Sequence, residues 1–168
     1  MTSVQIDSKN WSAIRNVVRH SQNAAMHCSI ATICPSGFPT ITPIGTLFLN
    51  DEIGHGFFFD TYSESINENL KRSSKACIQA VNSSRIFWIK SMLYGSFTSC
   101  PGVRLYATIG PLRPANQIEK QQVQQRIQAL NWTKGAKLIW ADFNQVRDIH
   151  IQTFKWVKYP SMRSKTYI

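Results

Sequence analysis

The chain has 168 residues, a length that fits one domain, and its 43% apolar and 17% charged residues are typical of a globular protein. No apolar run reaches the ~18 residues of a membrane-spanning helix, and no signal-peptide core precedes Trp11, so we expect a soluble, cytoplasmic protein. Four cysteines occur without a CxxC pair or a histidine at zinc spacing. We therefore expect reduced thiols and no structural metal.

The net charge of +10 is the most unusual bulk property of the chain. No acidic residue occurs from residue 69 to residue 118, whereas seven basic residues do, namely Lys71, Arg72, Lys75, Arg85, Lys90, Arg104 and Arg113. They are scattered among apolar residues and do not form a continuous basic run. This distribution favours solvated charge or the binding of an anionic ligand, and it makes a nucleic-acid partner the less favoured interpretation.

Residues 1–26 are expected to contain a leading helix. Asp7 or Ser8 is a suitable N-cap, and apolar residues then recur at helical spacing to form one stripe. The stripe consists of Trp11, Ile14 and Val18. A helix with one apolar face is expected to pack against a sheet.

A hairpin is predicted next. Residues 27–33 form its first strand, Gly37 supplies the turn, and Thr40 to Leu49 form its second strand. Pro43 has no N–H for a strand ladder, which indicates an edge, a bulge or backbone that meets a ligand. Gly45 removes a side chain where a ligand would approach closely, although a plain irregularity in the strand explains the pair equally well.

An aromatic strand from Gly56 to Thr61 leads into polar residues and a short helix. Its consecutive phenylalanines indicate burial on both faces of a sheet. Ser65 and Glu68 fit a capping box, and the helix is expected to end at residue 71 or 72. Free N–H groups at a helix start, flanked by the hydroxyls of Thr61, Ser63 and Ser65, are typical of an anion site. The alternative is an ordinary capped crossover helix.

Further strands are predicted for residues 76–81 and 86–89, and for an alternating segment that starts at Arg104 and ends at Gly110. Residues 92–102 show no clear pattern. Asn116 and Glu119 form the capping box of a clear helix. The apolar stripe of this helix is Val123, Ile127 and Leu130.

Two segments near the C-terminus allow more than one interpretation. Trp132 and Trp140 bracket a stretch that is either a loop closing over a planar ligand or aromatic packing. A final strand from Val146 to Tyr159 changes its apolar phase, which predicts a bulge near residues 152–153. The tail, residues 161–168, is either loose or in contact with a partner subunit.

Hairpins outnumber strand–helix alternations, which predicts a single α+β domain, mainly β, over residues 1–168. The curvature cues at Pro43, Gly45 and Gly110 favour a closed or split barrel. A dinucleotide-binding Gly-x-Gly-x-x-Gly pattern and a Walker A pattern are both missing from the sequence.

The stretch from Ala31 to Ile78 resembles the FMN-binding split-barrel superfamily of pyridoxamine 5'-phosphate oxidase-like proteins. The likeness rests on the order and spacing of Gly37-Phe38-Pro39, the strand that contains Pro43, the aromatic strand that ends at Thr61, and Asn69-Leu70. It implies a six-stranded antiparallel split β-barrel with flanking helices. It also implies a homodimer with FMN at the dimer interface.

The resemblance also implies a set of cofactor-binding residues. The isoalloxazine ring would lie along Thr42, Pro43, Ile44, Gly45 and Thr46, and the phosphate would be surrounded by Thr61, Ser63, Glu64 and Ser65. Asn69 completes the set. Lys71 and Arg104, together with Arg72 and Lys75, are candidates for a cation that contacts the cofactor.

This sequence departs from pyridoxamine phosphate oxidases themselves at their charged positions. Ser65 and Ile66 replace an Arg-Lys pair at the phosphate, Thr42 replaces an arginine, and the C-terminal Arg-x-His pattern is missing. Oxidation of pyridoxamine phosphate is therefore not expected.

The resemblance implies an FMN-dependent oxidoreductase that acts on a small molecule or an electron acceptor, with NAD(P)H as a candidate reductant. Because the chemistry resides in the flavin, no catalytic side chain is required. The alternative is a non-catalytic module that binds a flavin, a deazaflavin or haem.

Overall fold

The computed structural model describes residues 5–61, 63–128, 143–159 and 161–162. Its elements in chain order are α1 (Ser8–Ala25), β1 (Cys28–Ile33), β2 (Pro39–Ile44), β3 (Leu47–Leu49), β4 (His55–Phe59), α2 (Glu64–Arg72), β5 (Lys75–Val81), α3 (Arg85–Tyr94), β6 (Gly102–Pro114), α4 (Gln117–Ile127) and β7 (Gln145–Trp156). The predictions for Leu130, for Trp132 to Trp140 and for residues 163–168 lie outside the described residues.

The seven strands form one antiparallel sheet in the order β2-β1-β5-β6-β7-β4-β3. Strands β2 and β3 are therefore its two edges, yet only Gly45 and Thr46 separate them along the chain. The two edges must consequently meet at this corner, and the sheet closes as a barrel does. The expected mainly-β barrel with flanking helices is confirmed. Pro43 lies on an edge strand, which is one of the three alternatives that its missing N–H left open.

The described residues form seven strands, whereas the resemblance implies six. The strand predicted from Thr40 to Leu49 is two strands, β2 and β3. The chain turns at Gly45, where an added Cβ would lie 3.2 Å from the carbonyl oxygen of Met26. A larger residue would crowd that backbone, so glycine permits the close passage at the corner.

Residues 86–89 were predicted as a strand, and this was wrong. They lie in helix α3, which starts because the Ser84 hydroxyl accepts a hydrogen bond from the Phe87 N–H and ends where Gly95 adopts a positive φ of 62°. The indole N–H of Trp88 donates to the carbonyl of Asn82 at 2.7 Å. These capping contacts outweigh the strand preference of the β-branched and aromatic residues in this segment.

The long pair of strands β6 and β7 contains two irregularities. Strand β6 does not end at Gly110 but continues past a register shift between Ile109 and Leu112. The bulge predicted near residues 152–153 is confirmed, since Tyr106 pairs with Thr153 and Ala107 pairs with Ile151. Both bulges bend the paired strands without ending the ladder.

The core lies mainly between helix α1 and the sheet. The predicted stripe of α1 is buried together with residues of the central strands, and Asp7 caps this helix as expected. Strand β4 is buried on both faces, because Phe58 lies in this core while Phe57 and Phe59 pack with Val123 and Ile127 of α4 in a second cluster. The three phenylalanines therefore join the sheet to the helices on either side.

A buried ion pair connects strand β4 to strand β7. The Nε atom of Arg147 donates to a carboxylate oxygen of Asp60 at 2.6 Å, and the two side chains are only 6% and 3% exposed. Arg147 also donates to the carbonyl of Gly110 at 3.2 Å and to the side-chain oxygen of Asn67 at 2.9 Å. A single guanidinium thereby joins β4, β6, β7 and α2.

An arginine also docks the start of helix α4 on the sheet. Arg113 donates to Glu119 and to Asp148, each at 2.6 Å, and the predicted capping box of Asn116 and Glu119 is confirmed. Burial opposes the ionisation of Glu119, but hydrogen bonds from Arg113 and Asn116 outweigh it and lower the pKa of Glu119. The hydrogen bond from Arg113 likewise lowers the pKa of Asp148.

The Asp60–Arg147 pair predicts a large loss of stability when one partner is removed. Asp60→Asn leaves a buried guanidinium without its counter-charge, and we expect the free energy of unfolding to fall by about 3 to 5 kcal/mol. Asp51→Asn is the matched control, because it breaks the exposed Arg15–Asp51 pair, which is worth at most about 1 kcal/mol. Equal losses in urea unfolding would contradict a structural role for the buried pair.

The Arg113 contacts predict a specific pH dependence. In the folded protein the pKa values of Glu119 and Asp148 lie below their ordinary values of 4.5 and 3.8. The two ionised carboxylates therefore stabilise the fold at any pH above the ordinary values. This contribution to the free energy of unfolding is lost as the pH falls through the lowered pKa values of the folded protein. Arg113→Gln should therefore lower stability at neutral pH and flatten its decline in acid. Arg85→Gln on α3 is the control, and an unchanged acid profile for Arg113→Gln would exclude this linkage.

Candidate functional site

A cleft of about 640 Å³ opens at the corner where β2 passes into β3. The end of β4 and the start of α2 form its other walls. Nine of the twelve cofactor-binding residues predicted from the sequence line this cleft, namely Thr42, Pro43, Ile44, Gly45, Thr46, Thr61, Ser63, Glu64 and Ser65. The structure thus brings the two predicted segments together, while their contact with a cofactor stays a prediction.

The segment predicted to contact the ring, residues 42–46, forms the corner between β2 and β3. Thr46 is buried, and its hydroxyl accepts a hydrogen bond from the N–H of Phe59 and donates to the carbonyl of the same residue, each at 3.3 Å. The hydroxyl continues the β3–β4 ladder beyond Leu47, where the backbone has already turned away. Thr46 therefore fixes the position of the corner, and its hydroxyl is already engaged.

The opposite side of the cleft is apolar, which sequence reasoning did not assign to the site. Phe58, Phe59 and Ile66 are buried behind it, and the Phe143 ring lies 5.1 Å from the Phe59 ring. Aromatic and aliphatic lining of this kind is common in pockets that bind small molecules. The available signal was the position of the phenylalanines directly before the polar segment.

Helix α2 begins two residues earlier than predicted. Ser63 is its N-cap and accepts a hydrogen bond from the N–H of Ile66 at 3.3 Å, so the predicted Ser65–Glu68 capping box is wrong. The error arose because Ser63 and Ser65 both carry a hydroxyl, and only the Ser63 hydroxyl accepts a hydrogen bond from the N–H of the third residue of the helix. Glu64 and Ser65 consequently occupy the first turn, beside the helix N–H groups that favour an anion.

The charged groups of the cleft are carboxylates. Among the described lining residues, Asp60 and Glu64 are the charged ones, and Asp60 is neutralised by Arg147. Sequence reasoning missed this pair, although an aspartate at the end of a buried strand requires a partner. Among the described lining residues, the start of helix α2 is therefore the main attraction for a phosphate.

The remaining predicted residues lie elsewhere in the structure. The side-chain amide of Asn69 is buried and donates to the hydroxyls of Thr32 and Thr40 at 2.8 and 2.7 Å, so it holds α2 against β1 and β2. Lys71 is exposed in the last turn of α2. Arg104 is exposed on β6 and donates to the side-chain oxygen of Gln79 at 2.9 Å. None of them lines the cleft, and their contact with a cofactor stays a prediction.

The described residues contain no cluster of histidine, cysteine, aspartate and glutamate side chains that would hold a metal ion. None of the described helices is long and apolar enough to cross a bilayer. The described lining of the cleft combines buried aromatic side chains with hydroxyl groups and the first turn of a helix. A planar ligand with an anionic end at this place stays a prediction.

No protein-family model and no curated protein matches the chain. Solved structures do. An FMN-binding protein from Syntrophomonas wolfei is similar with a TM-score of 0.62 at 12% identity, over 91% of this chain and 89% of that one.

HupZ from Group A Streptococcus is similar with a TM-score of 0.56 at 14% identity, over 89% and 95% of the two chains. A protein of the pyridoxinephosphate oxidase family from Clostridium acetobutylicum is similar with a TM-score of 0.54 at 16% identity, over 92% of each chain. These likenesses extend over nearly the whole chain. The chain therefore has the split-barrel fold of the pyridoxamine 5'-phosphate oxidase-like and FMN-binding proteins.

Proposed function

We propose that the cleft binds FMN and that the protein is an FMN-dependent oxidoreductase acting on a small molecule. One observation carries this proposal. The segment from Thr42 to Thr46 and the start of helix α2 line the same cleft, whose volume of about 640 Å³ falls in the range of small-molecule pockets. The fold shared with an FMN-binding protein supports the same assignment.

The residues of the cleft would bind and orient the cofactor. Residues 42–46 would offer backbone groups to the edge of the ring, and the apolar lining residues would exclude water from it. The first-turn N–H groups of α2 and the Thr61 hydroxyl would hold the phosphate. The flavin itself supplies the hydride-transfer chemistry when it is bound.

The substrate is a small molecule or an electron acceptor other than pyridoxamine phosphate, and NAD(P)H is the candidate reductant. A non-catalytic module is the second candidate, favoured by the carboxylate of Glu64 at the phosphate end. Such a module would bind a flavin, a deazaflavin or haem without turnover.

We propose that the functional unit is a homodimer. The outward face of the sheet carries the apolar neighbours Ile41, Ala31, Cys77 and Tyr106 on four adjacent strands, and Ile41 is 73% exposed. Arg104 lies on the same face, where it would approach a second copy.

All four cysteines are free, which supports our placement of the protein in the reducing cytoplasm.

FMN should bind the purified protein and stabilise it. At a free FMN concentration ~100-fold above its Kd, the free energy of unfolding should rise by about 2.7 kcal/mol. A visible absorption spectrum of the protein then identifies the bound chromophore. The rate of NAD(P)H oxidation separates an enzyme from a binding module. Analytical ultracentrifugation tests whether the protein is a dimer. A colourless protein whose thermal unfolding does not respond to FMN would refute the assignment.

Glu64→Gln should strengthen the binding of FMN but not that of riboflavin, which lacks the phosphate. Removal of a like charge from the first turn should improve FMN affinity roughly two- to fivefold. Glu68→Gln is the matched control, because this residue lies one turn further along α2 and does not line the cleft. If the ratio of FMN to riboflavin affinity is the same in both variants, the phosphate does not lie at the start of α2.

A further inference from the structure

A second cavity of about 300 Å³ lies between helix α1 and the edge strand β3. One face of α1, from Ser12 to Gln22, forms one side, residues 47–49 of β3 form the other, and Arg126 of α4 closes it. It shares no described lining residue with the cofactor cleft.

Three arginines converge on this cavity, namely Arg15, Arg19 and Arg126, and no carboxylate is among its described lining residues. They come from two helices that are distant in sequence, so the concentration of charge is a product of the fold. Arginine clusters of this kind are typical of sites for phosphate groups.

Arg126 is held by neutral groups only, as far as the described residues show. One terminal nitrogen donates to the carbonyl of Leu47 at 2.8 Å and to that of Gly45 at 3.4 Å. Its guanidinium carbon lies 4.0 Å from the centre of the Phe48 ring. Although the residue as a whole is exposed, desolvation of the guanidinium against these groups lowers its pKa. An anion at this position would offset that cost.

The other two arginines keep donors available for a ligand. Arg15 donates to Asp51 at 2.5 Å, and Arg19 donates to the side-chain oxygen of Asn16 at 3.1 Å. A guanidinium has five N–H donors, and these contacts each use one. The cavity can therefore offer several charge-assisted hydrogen bonds to a single anion.

We propose that this cavity binds a phosphate group, either as inorganic phosphate or as part of a small phosphorylated metabolite. Three guanidinium groups from two helices match the several oxygens of a phosphate better than the two oxygens of a carboxylate. The volume exceeds that of a phosphate ion and leaves room for a short organic portion. The cavity shares no described lining residue with the cofactor cleft, so its test needs no cofactor.

Isothermal titration calorimetry with sodium phosphate and with glycerol 3-phosphate, in sodium chloride of matched ionic strength, tests the proposal. Wild-type protein should bind, and Arg19→Gln should weaken binding roughly tenfold, since a charge-assisted hydrogen bond is lost. Arg19 is the informative position, because its one hydrogen bond within the described part of the chain is to Asn16 in the same helix, whereas Arg126 also supports β3. Tighter binding of glycerol 3-phosphate indicates a metabolite, and equal binding indicates free phosphate.

Arg85→Gln is the control variant, because it removes the same charge from the exposed helix α3. It should bind phosphate as the wild type does. The proposal would be overturned if the wild-type protein did not bind phosphate. It would also be overturned if Arg19→Gln and Arg85→Gln weakened binding equally, because that result would reflect the change in net charge alone.

Discussion

The buried ion pair of Asp60 and Arg147 is the interaction on which the geometry of the cleft depends. It joins the end of β4 to β7, and through further hydrogen bonds of the same guanidinium it reaches β6 and α2. A charge so deeply buried needs a partner and full hydrogen bonding, which restricts all four elements to one arrangement. The polar end of the cleft is therefore supported from behind by a neutral and rigid group.

The two ends of the cleft differ in the chemical groups that line them. At the end proposed to hold the ring, the corner at Gly45 and Thr46 is held by the hydrogen bonds between Thr46 and Phe59, and Phe58 and Phe59 are buried. At the end proposed to hold the phosphate, the described lining offers hydroxyls and helix N–H groups together with the carboxylate of Glu64. The negative charge of Glu64 would oppose the binding of a dianion at that end.

Local signals in the sequence were sufficient for part of this structure. The stripe of α1, the capping box at Asn116 and the bulge near residue 152 each depend on residues close together in the chain, and each is confirmed. Two local predictions were wrong. The N-cap of α2 was placed at Ser65 because Ser63 and Ser65 are both suitable N-caps. Residues of α3 were predicted as a strand because of their strand preference, which the helix caps outweigh. The partnership of Asp60 with Arg147 spans 87 positions, so no local pattern could reveal it.

The position of Arg126 has a consequence for how the two cavities could communicate. Its guanidinium donates to the carbonyls of Gly45 and Leu47, the two residues that flank Thr46 at the corner between β2 and β3. A ligand of the second cavity that moved this guanidinium would move the corner with it, and would thereby change the affinity of the cleft for its own ligand. By reciprocity, a ligand of the cleft that moved the corner would change the affinity of the second cavity by the same factor.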